Sequence, residues 1–169
     1  PFGEFTPLAF ILGRFARLLN IPMSNFSPGD QEQPLLRGRH AATGVSICYE
    51  DAFGEEVIQA LPEAGLLINV SNDGWFGDSA APHQHLQMAR MRARETGRYL
   101  LRATNSGISA IIDPAGRVRA QAPQFLPIVL TDTIIVFDGL TPYARFGNWP
   151  VVIIAVCLVL LGRRTADSG

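Results

Sequence analysis

The 169-residue chain predicts an α/β layered domain followed by an apolar C-terminal segment, on three observations. Apolar runs at 43–48 and 66–70 flank a short helical stretch at 55–61, the order of a parallel strand pair joined by a right-handed crossover. A polar, arginine-rich helical stretch at 84–97 leads into further strand-like runs. From Trp149 to Leu161 no residue is charged, and Arg163-Arg164 follow at once.

Taken in order, Thr6-Pro7 reads as an N-cap followed by proline at the first helical position. Leu8, Ile11, Leu12, Phe15, Leu18 and Leu19 recur at helical spacing and carry an amphipathic helix to Asn20. A Pro/Ser/Gly/Gln-rich loop fills 21–33. The strand at 43–48 ends on Cys48, the helix covers 55–61 and a buried strand covers 66–70. Residues 71–82 form a loop marked by Trp75 and Phe76, and the helix at 84–97 follows. Strands are predicted at 99–104 and 107–112. Asp113-Pro114-Ala115-Gly116 is a hairpin turn by composition, leading to strands at 118–120, 125–132 and 133–137.

Composition narrows the function. A net charge of −1 gives no electrostatic case for nucleic acid, while a charged fraction of 17% is low for a soluble domain. Mean hydropathy is positive, which points to lipid or a large buried interface. All fourteen basic residues are arginines. Cys48 and Cys157 lie in unlike surroundings and are not expected to pair. No signal peptide is visible, and a start at Pro1 is expected of a piece of a longer protein.

Residues 146–162 span about 25 Å as a helix, the short edge of the membrane-spanning range. All-round apolarity, Trp149 and Tyr143 as interfacial anchors, and the paired arginines favour a span over a buried strand or core helix. The arginines would place the C-terminus in the cytoplasm and the domain on the other side.

Cys48 is the foremost chemical candidate. A thiol where an apolar strand turns into a helix can act as a nucleophile, with the next backbone N–H groups stabilising an oxyanion. Its alternative is a core cysteine. Glu50 is read as hydrogen-bonding support for the turn, and Glu4, from composition, as a surface residue. A Cys–His dyad with His40, His83 or His85 competes, although His83 and His85 are wrongly spaced to share a helix face. Zinc lacks further ligands at normal spacing. Arg90, Arg92, Arg94, Arg98 and Arg102 read as a solvated or salt-bridged face, with Arg98 and Arg102 available to lipid headgroups.

Six stretches carry a resemblance: Pro1-Phe2-Gly3-Glu4, Ile47-Cys48-Tyr49-Glu50, Ser71-Asn72-Asp73-Gly74-Trp75-Phe76, Arg92-Ala93-Arg94-Glu95-Thr96-Gly97-Arg98, Thr104-Asn105-Ser106-Gly107-Ile108-Ser109 and Arg145-Phe146-Gly147-Asn148-Trp149-Pro150. In order and spacing they resemble the carbon–nitrogen hydrolase (nitrilase) superfamily, and within it the apolipoprotein N-acyltransferase family.

The resemblance implies a nitrilase-like αββα sandwich, partial in this chain, followed by a C-terminal transmembrane helix. Residues 1–142 would be the C-terminal part of the catalytic domain, 143–164 the transmembrane helix with its flanks, and 165–169 a cytoplasmic tail. Cys48 matches the nucleophile of a Glu-Lys-Cys triad whose Glu and Lys would lie upstream of Pro1. The chain has no lysine, so alone it is expected to be inactive. Glu4 matches a further glutamate that assists the triad, Tyr49 and Glu50 match residues flanking the nucleophile, and Trp75 and Phe76 fall on a loop suited to gripping acyl chains.

The implied reaction moves an acyl group from a phospholipid, through a Cys48 thioester, to the α-amine of a diacylglyceryl-cysteine lipoprotein. No cofactor or metal is implied. The implied location is the bacterial inner membrane, with the catalytic domain on the periplasmic side. The alternatives are a nitrilase-type amidase and a non-catalytic membrane-anchored binding domain.

Overall fold

The apolar runs pair into a mixed sheet of six strands, laid side by side in chain order. They are β1 (Leu36–Arg37), β2 (Ala42–Ile47), β3 (Ala64–Ser71), β4 (Leu100–Thr104), β5 (Ala110–Ile112) and β6 (Val118–Gln121). This computed structural model describes residues 33–166, with side chains as far as residue 163. The predicted helix at 8–20, most of the loop after it, and Glu4 lie outside the described residues.

β2, β3 and β4 run parallel, as the strand–helix–strand order predicts, while β1, β5 and β6 pair antiparallel at either side. The register sets Ser46 beside Asn69 and Asn69 beside Arg102. Three polar side chains therefore sit at one level of the central strands.

The β2–β3 connection is a 3-10 turn at Cys48–Ala52, helix α1 (Gly54–Val57) and a second 3-10 turn at Ile58–Ala60. One continuous helix is predicted there, and the chain makes a broken one. Helix α2 (Ala81–Thr96) links β3 to β4. Pro82 lies in its first turn, where a missing N–H is harmless. Gly97, at φ +65°, ends it with its N–H on the Ala93 carbonyl. Leu86, Ala89 and Ala93 of α2 pack with Leu67, Leu100 and Ile112 of the sheet in one apolar core.

The predicted hairpin turn joins β5 to β6. Gly116 N–H donates to the Asp113 carbonyl at 2.9 Å, and Asp113 Oδ1 accepts from the N–H groups of Ala115 and Arg117. Gly116 takes φ +77°, a value few other residues adopt readily.

Two strand predictions fail. Residues 125–132 and 133–137 form no strand ladder: Phe125, at φ +63°, lies in a turn, and the Phe137 N–H reaches the Gly65 carbonyl at 3.4 Å. β-rich composition gives the backbone an extended preference, but a strand also needs a ladder of backbone partners, and among the described residues the contact at Phe137 does not make one. The predicted strand at 107–112 shortens to Ala110–Ile112.

Of the arginine-rich face, read as solvated or salt-bridged, Arg94 is exposed and Arg92 and Arg102 are salt-bridged, but Arg92, Arg98 and Arg102 are buried rather than on the surface. Arg98 Nε donates to the Ala64 carbonyl at 2.7 Å and Nη2 to the Gly139 carbonyl at 2.8 Å, pinning the segment after β6 to the core. Arg98 and Arg102 are consumed internally, so they are not available to lipid headgroups.

Helix α3 (Pro142–Phe146) is capped by Thr141, whose Oγ1 accepts from Ala144 N–H at 3.0 Å. Gly147, at φ +55°, breaks the chain before helix α4 (Trp149–Ala166). The charge-free segment is thus helical, and its apolar side chains from Val151 to Leu161 are mostly exposed. Among the described residues, no helix is long and apolar enough to cross a membrane. The span expected at 146–162 is therefore not a finding of the fold.

Candidate active site around Cys48

β2 stops at Ile47 because Cys48 turns the chain. Cys48 takes φ +52°, the left-handed region that residues with a Cβ rarely occupy. The sequence reading extends the strand through Cys48; the structure makes Cys48 the corner. The thiol residue is half-buried, whereas Cys157 on α4 is exposed. Glu50 Oε2 accepts the Ile47 N–H at 2.6 Å and ties the turn back onto the strand.

Beside this corner lies a cleft of about 230 Å³ lined by Tyr49, Phe76, Ala81, Gln84, His85 and Met88. The Tyr49 ring stands edge-on to Phe53 at 5.9 Å. The structure thus brings Tyr49 and Phe76 together at one opening. Trp75 does not line it and is 85% exposed.

Beneath the corner is a buried polar cluster that the sequence reading did not assemble. Asp51, Asn69, Asp73, His85 and Arg102 are each at most 4% exposed. Arg102 bridges the two carboxylates, Nη1 to Asp51 Oδ2 at 3.2 Å and Nη2 to Asp73 Oδ2 at 3.0 Å. His85 bridges them as well, Nε2 to Asp51 Oδ1 and Nδ1 to Asp73 Oδ1, both at 3.1 Å. Asn69 accepts from Arg102 Nη1 at 2.6 Å and donates through Nδ2 to Ser46 Oγ at 3.0 Å. Ser71 Oγ donates to Asp73 Oδ1 at 2.6 Å.

Two members of the cluster reach the corner itself. Asn69 Nδ2 and His85 Nε2 each lie 3.1 Å from the backbone carbonyl oxygen of Cys48.

Burial alone would push the His85 pKa down, but its hydrogen bonds to Asp51 and Asp73 raise it to about 9. Burial would lift Asp73, but hydrogen bonds from His85 and Ser71 and the Arg102 charge hold it at about 2. At neutral pH His85 is therefore an imidazolium that donates from both ring nitrogens.

That corrects the Cys–His dyad. His85 holds its protons and is bound to carboxylates and a carbonyl, so it cannot serve as the thiol's base. His40 and His83 are exposed. Among the described residues no cluster of His, Cys, Asp and Glu could hold a metal ion.

Two of the missed residues carried a signal. Asn69 and Arg102 interrupt apolar strand runs, Leu-Leu-Ile-Asn-Val and Leu-Leu-Arg-Ala, and a polar side chain on a buried strand must find partners.

The carbon-nitrogen hydrolase family model matches residues 15–135. An apolipoprotein N-acyltransferase of Nitrosomonas europaea is 53% identical over 171 residues, covering 100% of this chain and 34% of the relative. Its counterpart in Methylococcus capsulatus is 49% identical, covering 99% and 34%. The chain thus spans about a third of the length of these curated relatives. Among solved structures, Saccharomyces cerevisiae Nit3, a member of branch 10 of the nitrilase superfamily, superposes with a TM-score of 0.51 at 25% identity, over 58% of this chain and 39% of Nit3. With a cysteine at the corner after a parallel strand, a nitrilase-like mixed sheet beneath it and the family pattern running across most of its length, the chain belongs to the carbon–nitrogen hydrolase family.

Proposed function

We propose that this chain is the C-terminal part of a bacterial acyltransferase that N-acylates lipoproteins, with Cys48 as its nucleophile. The observation that carries the reading is the Cys48 corner: a half-buried thiol residue in a left-handed turn, beside a partly apolar cleft. Backbone strain of this kind concentrates at functional sites. The names of the relatives at 53% and 49% identity supply the substrate class.

In this reading the Cys48 thiolate attacks an ester carbonyl of a phospholipid. The carbon–oxygen bond breaks, the leaving alkoxide takes a proton as lysophospholipid, and a thioester remains. The α-amine of a diacylglyceryl-cysteine then attacks the thioester carbonyl. The carbon–sulfur bond breaks, the amine gives up a proton, and the thiol is regenerated beside a new amide. A thioester is a good donor to an amine, and exclusion of water favours transfer over hydrolysis.

Tyr49 and Phe76 would contact the acyl chain in the cleft, with Trp75 reaching it from its exposed loop. Glu50 would keep the corner in place, and Glu4 would assist from the part of the chain before residue 33. The general base and the lysine of the triad would come from the rest of the longer protein. Helix α4 would lie in the inner membrane with Arg163-Arg164 on the cytoplasmic side and the sheet on the periplasmic side. It would hold the site against both lipid substrates.

The test is intact mass spectrometry of the longer protein after incubation with phosphatidylethanolamine. A hydroxylamine-labile gain of one acyl group on Cys48, absent in Cys48→Ala and kept in Cys157→Ala, is expected. A folded protein that never acquires the adduct would move the assignment to an amidase or to a binding domain.

A further inference from the structure

We propose that Asn69 and His85 are positioning residues for the nucleophile: together they hold the carbonyl of Cys48 and so fix the plane of the Cys48–Tyr49 peptide. The inference rests on the reading of Cys48 as the nucleophile.

A carbonyl oxygen has two lone pairs, and here one buried donor faces it from β3 and another from α2, each at 3.1 Å, the single Nε2 proton of His85 being shared between this carbonyl and Asp51 Oδ1 at the same distance. The peptide is planar and trans, so a carbonyl held toward the buried cluster turns the Tyr49 N–H the opposite way. That N–H belongs to the first turn after the corner and has no partner within that turn. It is thereby kept for the side on which a substrate carbonyl would meet the thiol.

Left to itself, a cysteine at φ +52° would relax toward the right-handed or extended regions. Rotation of the 48–49 peptide would accompany that relaxation, moving the thiol and reversing the N–H. The two donors oppose the rotation, and each is itself held. Asn69 is fixed through its Oδ1 by Arg102 at 2.6 Å, and His85 is fixed on its far nitrogen by Asp73 at 3.1 Å.

The two nitrogens of His85 can be separated by substitution. In His85→Gln the side-chain amide can occupy the Nε2 position and still donate to the Cys48 carbonyl. In His85→Asn it reaches only the Nδ1 position and the carboxylate of Asp73. Both variants lose the cation, so a purely structural role would impair them alike.

The experiment compares both variants in the longer protein, in a Cys157→Ala background, by steady-state acyl transfer, by the rate of Cys48 alkylation with iodoacetamide, and by thermal unfolding. His85→Asn is expected to lose roughly 100-fold in kcat with KM little changed, the scale of a misplaced reacting group or a lost oxyanion donor. His85→Gln is expected to stay within about 5-fold of the parent, since geometry rather than charge is retained. Alkylation should follow the same order, and the two melting temperatures should fall together.

Equal kcat losses in both variants, or parental kcat in His85→Asn, would overturn the assignment. If neither variant folds, Asn69→Ala carries the test, and unchanged kcat and alkylation in it would overturn the assignment too. If the parent transfers no acyl group, the function proposed above fails, and the alkylation order alone decides the positioning role.

Discussion

Asn69 Nδ2 lies 3.1 Å from the carbonyl oxygen of Cys48, so one amide on β3 reaches the corner that ends β2. The same amide nitrogen donates to Ser46 Oγ, and the amide oxygen accepts a hydrogen bond from Arg102 Nη1. A single buried side chain therefore joins three strands to the turn that carries the thiol.

Replacing it should be costly although its volume is easily matched. Asn69→Leu fills the space but strips partners from the Cys48 carbonyl and from the Arg102 guanidinium. Loss of about 2–4 kcal/mol is expected, the scale of leaving buried polar and charged groups short of a partner. Urea unfolding with an unchanged m-value measures it.

The corner's conformation makes a second, opposite forecast. Cys48→Gly removes the Cβ that makes φ +52° unfavourable, while Cys48→Val adds branching there. The glycine variant should gain about 1 kcal/mol of stability and the valine variant should lose at least that, with no acyl adduct in either. Melting curves of the two variants against the parent read out the sign.

Stability should depend on pH through His85 and Asp73. The His85 pKa rises on folding from 6.5 to about 9, so its contribution is complete below 6.5 and is lost as pH climbs through 9. The Asp73 pKa falls from 3.8 to about 2, so its contribution is present above 3.8 and is lost as pH drops through 2. A melting-temperature profile should be flat between these limits and decline on both sides. The alkaline decline should flatten in His85→Gln.

Gly107 offers a test of the cluster from outside it. A Cβ at this position would collide with the Asp73 carboxylate, the group shared by Arg102 and His85. Gly107→Ala should therefore lower stability by about 2–3 kcal/mol, through overpacking and a disturbed buried ion pair. Asp73 would have to shift to make room, and a crystal structure of the variant would record the displacement.

How far the sequence could be read follows from what each feature depends on. β2, β3 and α2 were legible because apolar runs and helical spacing are local signals, and Cys48 stood out where one such run ended. Residues 125–137 misled because a strand is defined by its neighbour, which lies elsewhere in the chain. Arg98 and Arg102 misled because charge suggests water, whereas here Arg98 finds backbone carbonyls and Arg102 finds carboxylates. The polar cluster draws on positions from 51 to 102, and only the parallel register of β2, β3 and β4 brings Ser46, Asn69 and Arg102 to one level.

The cluster under Cys48 pairs two carboxylates with two cations, and opposite charges this close cancel within a few ångströms. What reaches the sulfur from below is orientation rather than potential: a rigid, electrically quiet floor. If Cys48 is the nucleophile, its base and its cationic partner belong on the open side, while the buried cluster sets the direction in which the corner presents the thiol to them.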